Sequence, residues 1–254
     1  MLETHLRSQR ERREILLMTH LVLGYPSFDA CLRMIEAMAE AGVELIELQI
    51  PFSEPIADGP VILHANQRAL ERGASVERCL DFAAAAASRF ELPFVLMSYY
   101  NILFRRGVAR FAEEMAERGL KGAIVPDLPP EEAAEYLTAM QQRQLDPIFI
   151  FSPNTSQARL RLLAEHARGF VYCVARKGVT GSATEFTGDL GAYIARCREA
   201  TPLPLAVGFG VRQKSDVDFL RGKADIAVVG SQTLRIVDER GVAHVGEFLR
   251  QLRE

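Results

Sequence analysis

Short apolar runs rich in valine, isoleucine and leucine recur along this chain, and an amphipathic stretch with the period of a helix follows most of them. This alternation is typical of strand–helix units whose strands pair in parallel. The runs predict eight strands, at residues 15–23, 43–50, 93–99, 121–126, 146–151, 169–175, 203–208 and 224–229. The helical pattern is clearest at residues 27–41, 107–118, 129–143 and 156–167.

Eight such units in 254 residues fit a closed (β/α)8 TIM barrel of the α/β class. An open doubly wound sheet is less favoured, because its nucleotide fingerprint is missing after the first predicted strand, which ends in Leu23-Gly24-Tyr25-Pro26. No linker or shift in composition divides the chain. We therefore expect one domain over residues 1–254, with an N-terminal helix and an extra short helix after strand 8.

Composition narrows the classes of function. The net charge of −3 is spread without long runs of one sign, which argues against nucleic acid or a membrane surface as a partner. The cysteines are widely spaced and lack the spacing of a zinc site, so we expect reduced thiols and no metal: Cys31, Cys79, Cys173 and Cys197. Without an apolar span near 20 residues or a cleavage-site pattern, a cytoplasmic protein is expected.

Glu47 is a carboxylate in the second predicted strand. Side chains alternate along a strand, so it shares a face with Val43, Leu45 and Gln49, opposite Ile46, Leu48 and Ile50. A carboxylate turned into a core is costly unless it is paired or protonated. Either an arginine pairs with it, or it transfers protons in a reaction.

Asp58 follows in the loop after that strand, at the end of a parallel barrel where active sites are built. It also precedes Gly59-Pro60, and an aspartate in this position can cap a helix that begins with proline. Taken alone, such an aspartate is more often a cap than a base.

Three glycine clusters follow the last three predicted strands: residues 177–182, Gly208-Phe209-Gly210 and Gly230-Ser231. One cluster would be ordinary, but three at consecutive junctions favour a phosphate site, because glycine lets backbone N–H groups approach an oxyanion and a helix N-terminus attracts it. Lys177 in the first cluster leaves open another phosphosugar barrel enzyme, such as a Schiff-base aldolase.

Several motifs, in order, resemble the family of tryptophan synthase α subunits over essentially the whole chain. They are Leu45-Ile46-Glu47-Leu48, Pro51-Phe52-Ser53, residues 55–60, Met97-Ser98-Tyr99-Tyr100-Asn101, Val125-Pro126-Asp127-Leu128-Pro129, Gly178-Val179-Thr180-Gly181, Gly208-Phe209-Gly210 and Gly230-Ser231.

The resemblance implies a TIM-barrel lyase that cleaves indole-3-glycerol phosphate to indole and glyceraldehyde 3-phosphate, without a cofactor of its own. It assigns proton transfer to Glu47, and it assigns to Asp58 the acceptance of a hydrogen bond from the indole N–H. It places Tyr100, Tyr172 and Phe209 around the substrate, and Gly181, Gly210, Gly230 and Ser231 around the phosphate. Thr180 would lie on a mobile loop, roughly residues 176–190, whose closure orders Asp58. The implied partner is a pyridoxal-phosphate β subunit.

The chain departs from the family at four positions. Gln49 replaces a glycine and His20 replaces an aromatic residue of the indole site, while Tyr25 and Glu54 replace aspartates of the surface that meets the β subunit. Two alternatives therefore stay open beside the coupled lyase. One is a free-standing lyase that releases indole, and the other is a weakly active homologue that chiefly activates the β subunit.

Overall fold

The computed structural model of the chain describes residues 2–174, 188–208 and 210–253. Nine strands lie in these ranges: β1 Leu16–Val22, β2 Leu45–Gln49, β3 Phe94–Met97, β4 Gly122–Ile124, β5 Asp146–Ile148, β6 Ile150–Phe151, β7 Val171–Val174, β8 Leu205–Gly208 and β9 Ile226–Val229.

Twelve α-helices are described in the same ranges: α1 Leu2–Arg12, α2 Phe28–Glu40, α3 Pro60–Glu71, α4 Val76–Arg89, α5 Tyr100–Arg106, α6 Val108–Glu117, α7 Ala134–Gln142, α8 Gln157–His166, α9 Gly188–Ala200, α10 Lys214–Leu220, α11 Ser231–Arg240 and α12 Val245–Gln251. Short 3-10 turns cover Pro130–Glu132 and Val242–His244.

The strands form one parallel sheet in the order β5-β4-β3-β2-β1-β9-β8-β7-β6. Only Phe149 separates the two edge strands, β5 and β6, along the chain. The sheet therefore curls into a nearly closed barrel, as the strand–helix pattern predicts. The predicted strand at 146–151 is interrupted at Phe149, so eight predicted strands become nine observed ones.

Alternation along the strands divides the apolar side chains into an inner and an outer layer. The inner layer, here called the lumen cluster, fills the barrel and contains Leu16, Met18, Leu45, Val95, Met97, Ile124, Ile148, Ala206, Ile226 and Val228. Leu2 and Leu6 of α1 also pack into it. The outer layer packs the strands against the helices and contains Ile46, Leu48 and Ile50. Val43 also lies in this outer layer, contrary to the expected face, because it precedes β2 and does not follow its alternation.

Both ends of the chain carry helices. The predicted N-terminal helix is α1. The helix after the last strand, α11, has 10 residues and is longer than the short helix expected there. No helix in the described part of the chain is long and apolar enough to span a membrane.

Candidate active site

A pocket opens at the carboxyl ends of the strands, above the lumen cluster. Its polar and glycine lining brings together most of the described candidates: Glu47, Asp58, Tyr172, Gly208, Gly210, Gly230 and Ser231, with His20, Arg212 and Gln232 in addition. Its apolar lining includes Ile62, Met97, Ile124, Pro126, Ile150, Val174 and Val228. The pocket therefore combines an apolar interior with two carboxylates and one glycine-rich side.

Glu47 points into this pocket and is 4% exposed. Its partner is His20, which lies opposite it on the neighbouring strand β1. The Nδ1 atom of His20 is 3.1 Å from Oε1 of Glu47. Among the described residues no arginine pairs with Glu47, and the partner of this carboxylate is a histidine.

His20 is as deeply buried as Glu47, at 4% exposure. Burial by itself lowers the pKa of an imidazole. The charge and hydrogen bond of Glu47, together with the charge of Asp58, outweigh burial, so the pKa of His20 is raised above its ordinary value. The positive form of His20 is therefore stabilised beside Glu47.

Asp58 does not cap the helix that follows it. The N-cap of α3 is Gly59, and no side-chain hydrogen bond caps this helix. The Asp58 carboxylate instead accepts a hydrogen bond of 2.6 Å from Nε2 of Gln49 and one of 3.2 Å from the hydroxyl of Tyr99. Helix capping therefore does not explain this aspartate, whose side chain lines the pocket.

The environment of Asp58 acts on its pKa in two directions. Burial raises the pKa, and this effect is the largest. The hydrogen bonds from Gln49 and Tyr99 and the charge of His20 lower it, yet the net pKa remains raised. Asp58 therefore depends on these neighbours for the stability of its charged form.

Asn66 of α3 orients Gln49. Its Oδ1 accepts from the backbone N–H of Phe52 at 2.9 Å, and its Nδ2 donates to the carbonyl of Ile62 at 2.9 Å. The same Oδ1 is 3.5 Å from Nε2 of Gln49, which turns the amide nitrogen of Gln49 toward Asp58. Gln49 shares the strand face of Glu47, but it is fully buried behind Asp58 and is absent from the pocket lining.

The glycine-rich side of the pocket lies at the start of α11. Gly230 is the N-cap of this helix and Ser231 is its first residue. The first N–H groups of a helix have no partner within the helix and attract anions. Gly210 has a φ of +61°, a backbone conformation that favours glycine. These residues form a cradle that suits a phosphate group.

Tyr172 fills the space beside Gly208. A Cβ atom at position 208 would lie 2.4 Å from the hydroxyl oxygen of Tyr172, so only glycine fits there without a shift. Burial, and then the charges of Glu47 and Asp58, raise the pKa of Tyr172 well above its ordinary value. Tyr172 therefore stays a neutral hydroxyl in the pocket.

The remaining candidates lie elsewhere. Tyr100 begins α5, packs beside Phe104 with ring centres 6.2 Å apart, and is absent from the pocket lining. Its neighbour Tyr99, which the sequence did not single out, is the tyrosine that contacts Asp58. Three predicted residues, Thr180, Gly181 and Phe209, lie outside the described residues, as do Lys177 and most of the proposed loop.

The sequence reasoning missed two further groups. Asn66 carries no local motif and is found only through its contacts. Arg212 lies two residues after Gly210, and this proximity to a predicted phosphate cluster was the available signal. Within the described ranges, no group of three or more histidine, cysteine, aspartate or glutamate side chains is placed to hold a metal ion.

Comparison with known proteins adds independent information. The family model described as "Tryptophan synthase alpha chain" matches residues 6–252. The tryptophan synthase alpha chain of Desulforapulum autotrophicum is 60% identical, over 99% of this chain and 100% of that protein. That of Syntrophotalea carbinolica is 58% identical, over 100% of both.

Solved structures give the same result. A structure of Mycobacterium tuberculosis tryptophan synthase superimposes with a TM-score of 0.92 at 33% identity, covering 99% of this chain and 96% of that one. The tryptophan synthase complex of Pyrococcus furiosus gives a TM-score of 0.86 at 31% identity, covering 94% and 97%. The chain therefore belongs to the family of tryptophan synthase alpha chains, the subunits that cleave indole-3-glycerol phosphate in tryptophan biosynthesis.

Proposed function

We propose that this pocket binds indole-3-glycerol phosphate and that Glu47 and Asp58 carry its retro-aldol cleavage. The observation that carries the proposal is the convergence of two buried carboxylates and a glycine-rich anion cradle on one pocket with an apolar interior. The apolar lining suits the indole ring, and the cradle suits the phosphate. The substrate would thus lie with its reacting carbons between these two ends.

Glu47 is proposed to transfer the protons of the reaction. Cleavage needs a proton added at indole C3 and a proton removed from the glycerol hydroxyl, so that the bond between ring and chain breaks and an aldehyde forms. The Oε2 atom of Glu47 is buried and has no hydrogen-bond partner among the described residues. It is therefore free to contact the substrate, while Oε1 is held by His20.

Asp58 is proposed to accept a hydrogen bond from the indole N–H. When C3 is protonated, positive charge develops at the ring nitrogen, and a nearby carboxylate stabilises it. Gln49 and Tyr99 hold this carboxylate in place before substrate arrives. Preorganisation of this kind lowers the energetic cost of reorientation during the reaction.

Gly210, Gly230 and Ser231 are proposed to hold the phosphate, with Gly181 joining them from outside the described residues. Arg212 lines the same pocket and adds a positive charge near the cradle. Tyr172, Phe209 and Tyr100 stay proposed contacts of the ring and chain, and Thr180 stays a proposed loop contact of Asp58.

The test is cleavage of indole-3-glycerol phosphate by the variants Glu47→Gln and Asp58→Asn. We expect each to lower kcat by about a hundredfold or more, because general acid–base catalysis and charge stabilisation each contribute at this scale. Glu71→Gln, at an exposed glutamate of α3, is the matched control and should leave turnover unchanged. Wild-type turnover in both pocket variants would overturn the proposed roles.

We further propose that the β subunit of tryptophan synthase is the partner of this chain. Two large hydrophobic side chains are exposed at the end of the barrel that carries the pocket, namely Ile56 at 72% and Phe104 at 66%. Glu54, near Ile56, is also exposed and keeps an acidic group on this surface. Tyr25 has a different role, because its hydroxyl donates a hydrogen bond of 2.6 Å to Asp238 of α11 within the chain.

An indole-release assay with and without the β subunit separates the alternatives. The proposal predicts cleavage by the isolated chain and a higher rate in the complex. A free-standing lyase would show the same rate in both, and a mere activator would show negligible cleavage alone. Borohydride treatment in the presence of substrate would trap a lysine adduct only if Lys177 acts as in a Schiff-base aldolase.

We also propose a cytoplasmic location. All four cysteines are buried free thiols, as is usual in a reducing compartment. Fractionation of cells that express the chain would test the location directly.

A further inference from the structure

The pair formed by His20 and Glu47 has two outward atoms without a partner. Nε2 of His20 and Oε2 of Glu47 are both buried, and neither has a hydrogen-bond partner among the described residues. A buried polar atom left unpaired destabilises the protein. Both residues line the pocket, so a bound molecule can supply the missing partners.

Nε2 of His20 needs a hydrogen-bond partner in either protonation state of the imidazole. If Nδ1 donates to Glu47 in a neutral ring, Nε2 is an acceptor; in the charged ring, Nε2 is a second donor. In both states Nε2 requires a polar group, and the apolar face of an indole ring supplies none. The polar partner must come from another part of the substrate.

His20 also lies next to the phosphate cradle. The Cβ of His20 is 3.8 Å from the place where a Cβ on Gly230 would lie. His20 therefore contacts Glu47 with one side and borders the cradle with another. The segment of substrate between the reacting carbon and the phosphate is the glycerol chain, whose two hydroxyl groups are both donors and acceptors.

We propose that His20 is a specificity-determining residue whose Nε2 binds a glycerol hydroxyl of the substrate, while its Nδ1 holds Glu47. This proposal rests on the proposed binding of indole-3-glycerol phosphate in this pocket. A site built to hydrogen-bond a hydroxyl discriminates strongly against an analogue that lacks it, because the polar group of the protein is then left unpaired. His20 thus selects substrates with a hydroxylated chain.

Two substitutions of His20 test the roles of its two ring nitrogens one at a time. The amide of His20→Asn places polar atoms near the position of Nδ1 and removes the group at Nε2. His20→Gln reaches the position of Nε2 and gives up the group at Nδ1. His20→Phe keeps a ring and removes both polar atoms.

The experiment compares kcat/KM for indole-3-glycerol phosphate with the inhibition constant of indole-3-propanol phosphate. This analogue keeps the ring, the three-carbon chain and the phosphate and lacks both hydroxyls. In His20→Asn and His20→Phe we expect kcat/KM to fall by about tenfold or more, while the inhibition constant of the analogue rises by no more than about twofold or falls, because the polar group that the analogue leaves unpaired is gone. His20→Gln should retain more of the preference for the hydroxylated substrate than His20→Asn does.

The inhibition constant also reports whether each variant keeps a folded pocket, because a misfolded pocket would lose both ligands. An unchanged ratio of the two constants in His20→Asn would overturn the role of Nε2. Failure of the wild-type chain to cleave indole-3-glycerol phosphate would instead contradict the proposed function. In that case, direct binding of the two ligands to wild type and His20→Asn still measures the preference.

Discussion

At the scale of single residues, this site places polar side chains where its family commonly has an aromatic residue and a glycine. His20 pairs with Glu47, and Gln49 donates to Asp58, so each carboxylate has its own neutral or cationic neighbour. The two substitutions of the family pattern therefore act on the two proposed catalytic acids separately. They support the carboxylates and do not block the pocket.

The support of Asp58 can be tested with Gln49→Met, which keeps a similar shape and removes the amide donor. We expect kcat to fall by about tenfold, since hydrogen bonds to charged groups contribute about 1.5–3 kcal/mol. Steady-state cleavage assays and thermal melts would measure the effect together with folding. Tyr99→Phe removes the other donor to the same carboxylate and should act in the same direction. Unchanged kcat in Gln49→Met would show that this donor is dispensable.

The pH dependence of kcat provides a second test of the hydrogen bond between Gln49 and Asp58. Asp58 must be ionised to stabilise positive charge on the indole ring, so activity is lost as pH falls through its pKa. Burial raises this pKa, and the Gln49 hydrogen bond lowers it. Removing the donor should therefore raise the pKa further and move the acid limb of kcat to higher pH in Gln49→Met. A limb that stays in place or moves to lower pH would contradict this account.

At the scale of elements, Glu44 connects three parts of the chain just before β2. It is 6% exposed, accepts the backbone N–H of Leu17 in β1 at 2.7 Å, and pairs with Arg13 at 2.9 Å and with Arg253, after α12, at 2.8 Å. This cluster lies at the end of the barrel opposite the pocket. Polar contacts at that end of a barrel contribute to stability, not to catalysis.

Glu44→Ala should lower the free energy of unfolding by about 3 kcal/mol, because it leaves buried donors and a largely buried cation without their partner. Urea unfolding followed by circular dichroism would measure the loss. Glu71→Ala, which breaks the exposed pair with Arg68, should change stability by about 0.5 kcal/mol or less. Equal effects of the two substitutions would show that burial of Glu44 is unimportant.

At the scale of the whole molecule, the pocket and the exposed large hydrophobic residues lie at the same end of the barrel. Ile56 lies in the loop after β2, and Phe104 lies in α5 after β3. The backbone N–H of Ala57 donates to the Tyr99 hydroxyl, which also contacts Asp58, so this surface is joined directly to a proposed catalytic group. A partner bound there is well placed to affect the site.

Ile56→Glu and Phe104→Glu should each weaken binding of the β subunit by about tenfold or more, because a charge is buried where apolar contact is expected. Calorimetric titration of the β subunit would measure this. Gln142→Glu adds the same charge to an exposed position at the opposite end of the barrel and serves as the control. Normal affinity in both pocket-end variants would place the interface elsewhere.

The sequence by itself determined the alternation of strands and helices, the inward face of Glu47 and the end of the barrel that carries Asp58. These features follow from local periodicity and from the fixed direction of parallel strands. Tertiary structure decided which side chains meet. His20 reaches Glu47 through the register of β1 with β2, and Asn66 orients Gln49 from a separate helix. Such contacts depend on how distant segments pack, which no local pattern specifies.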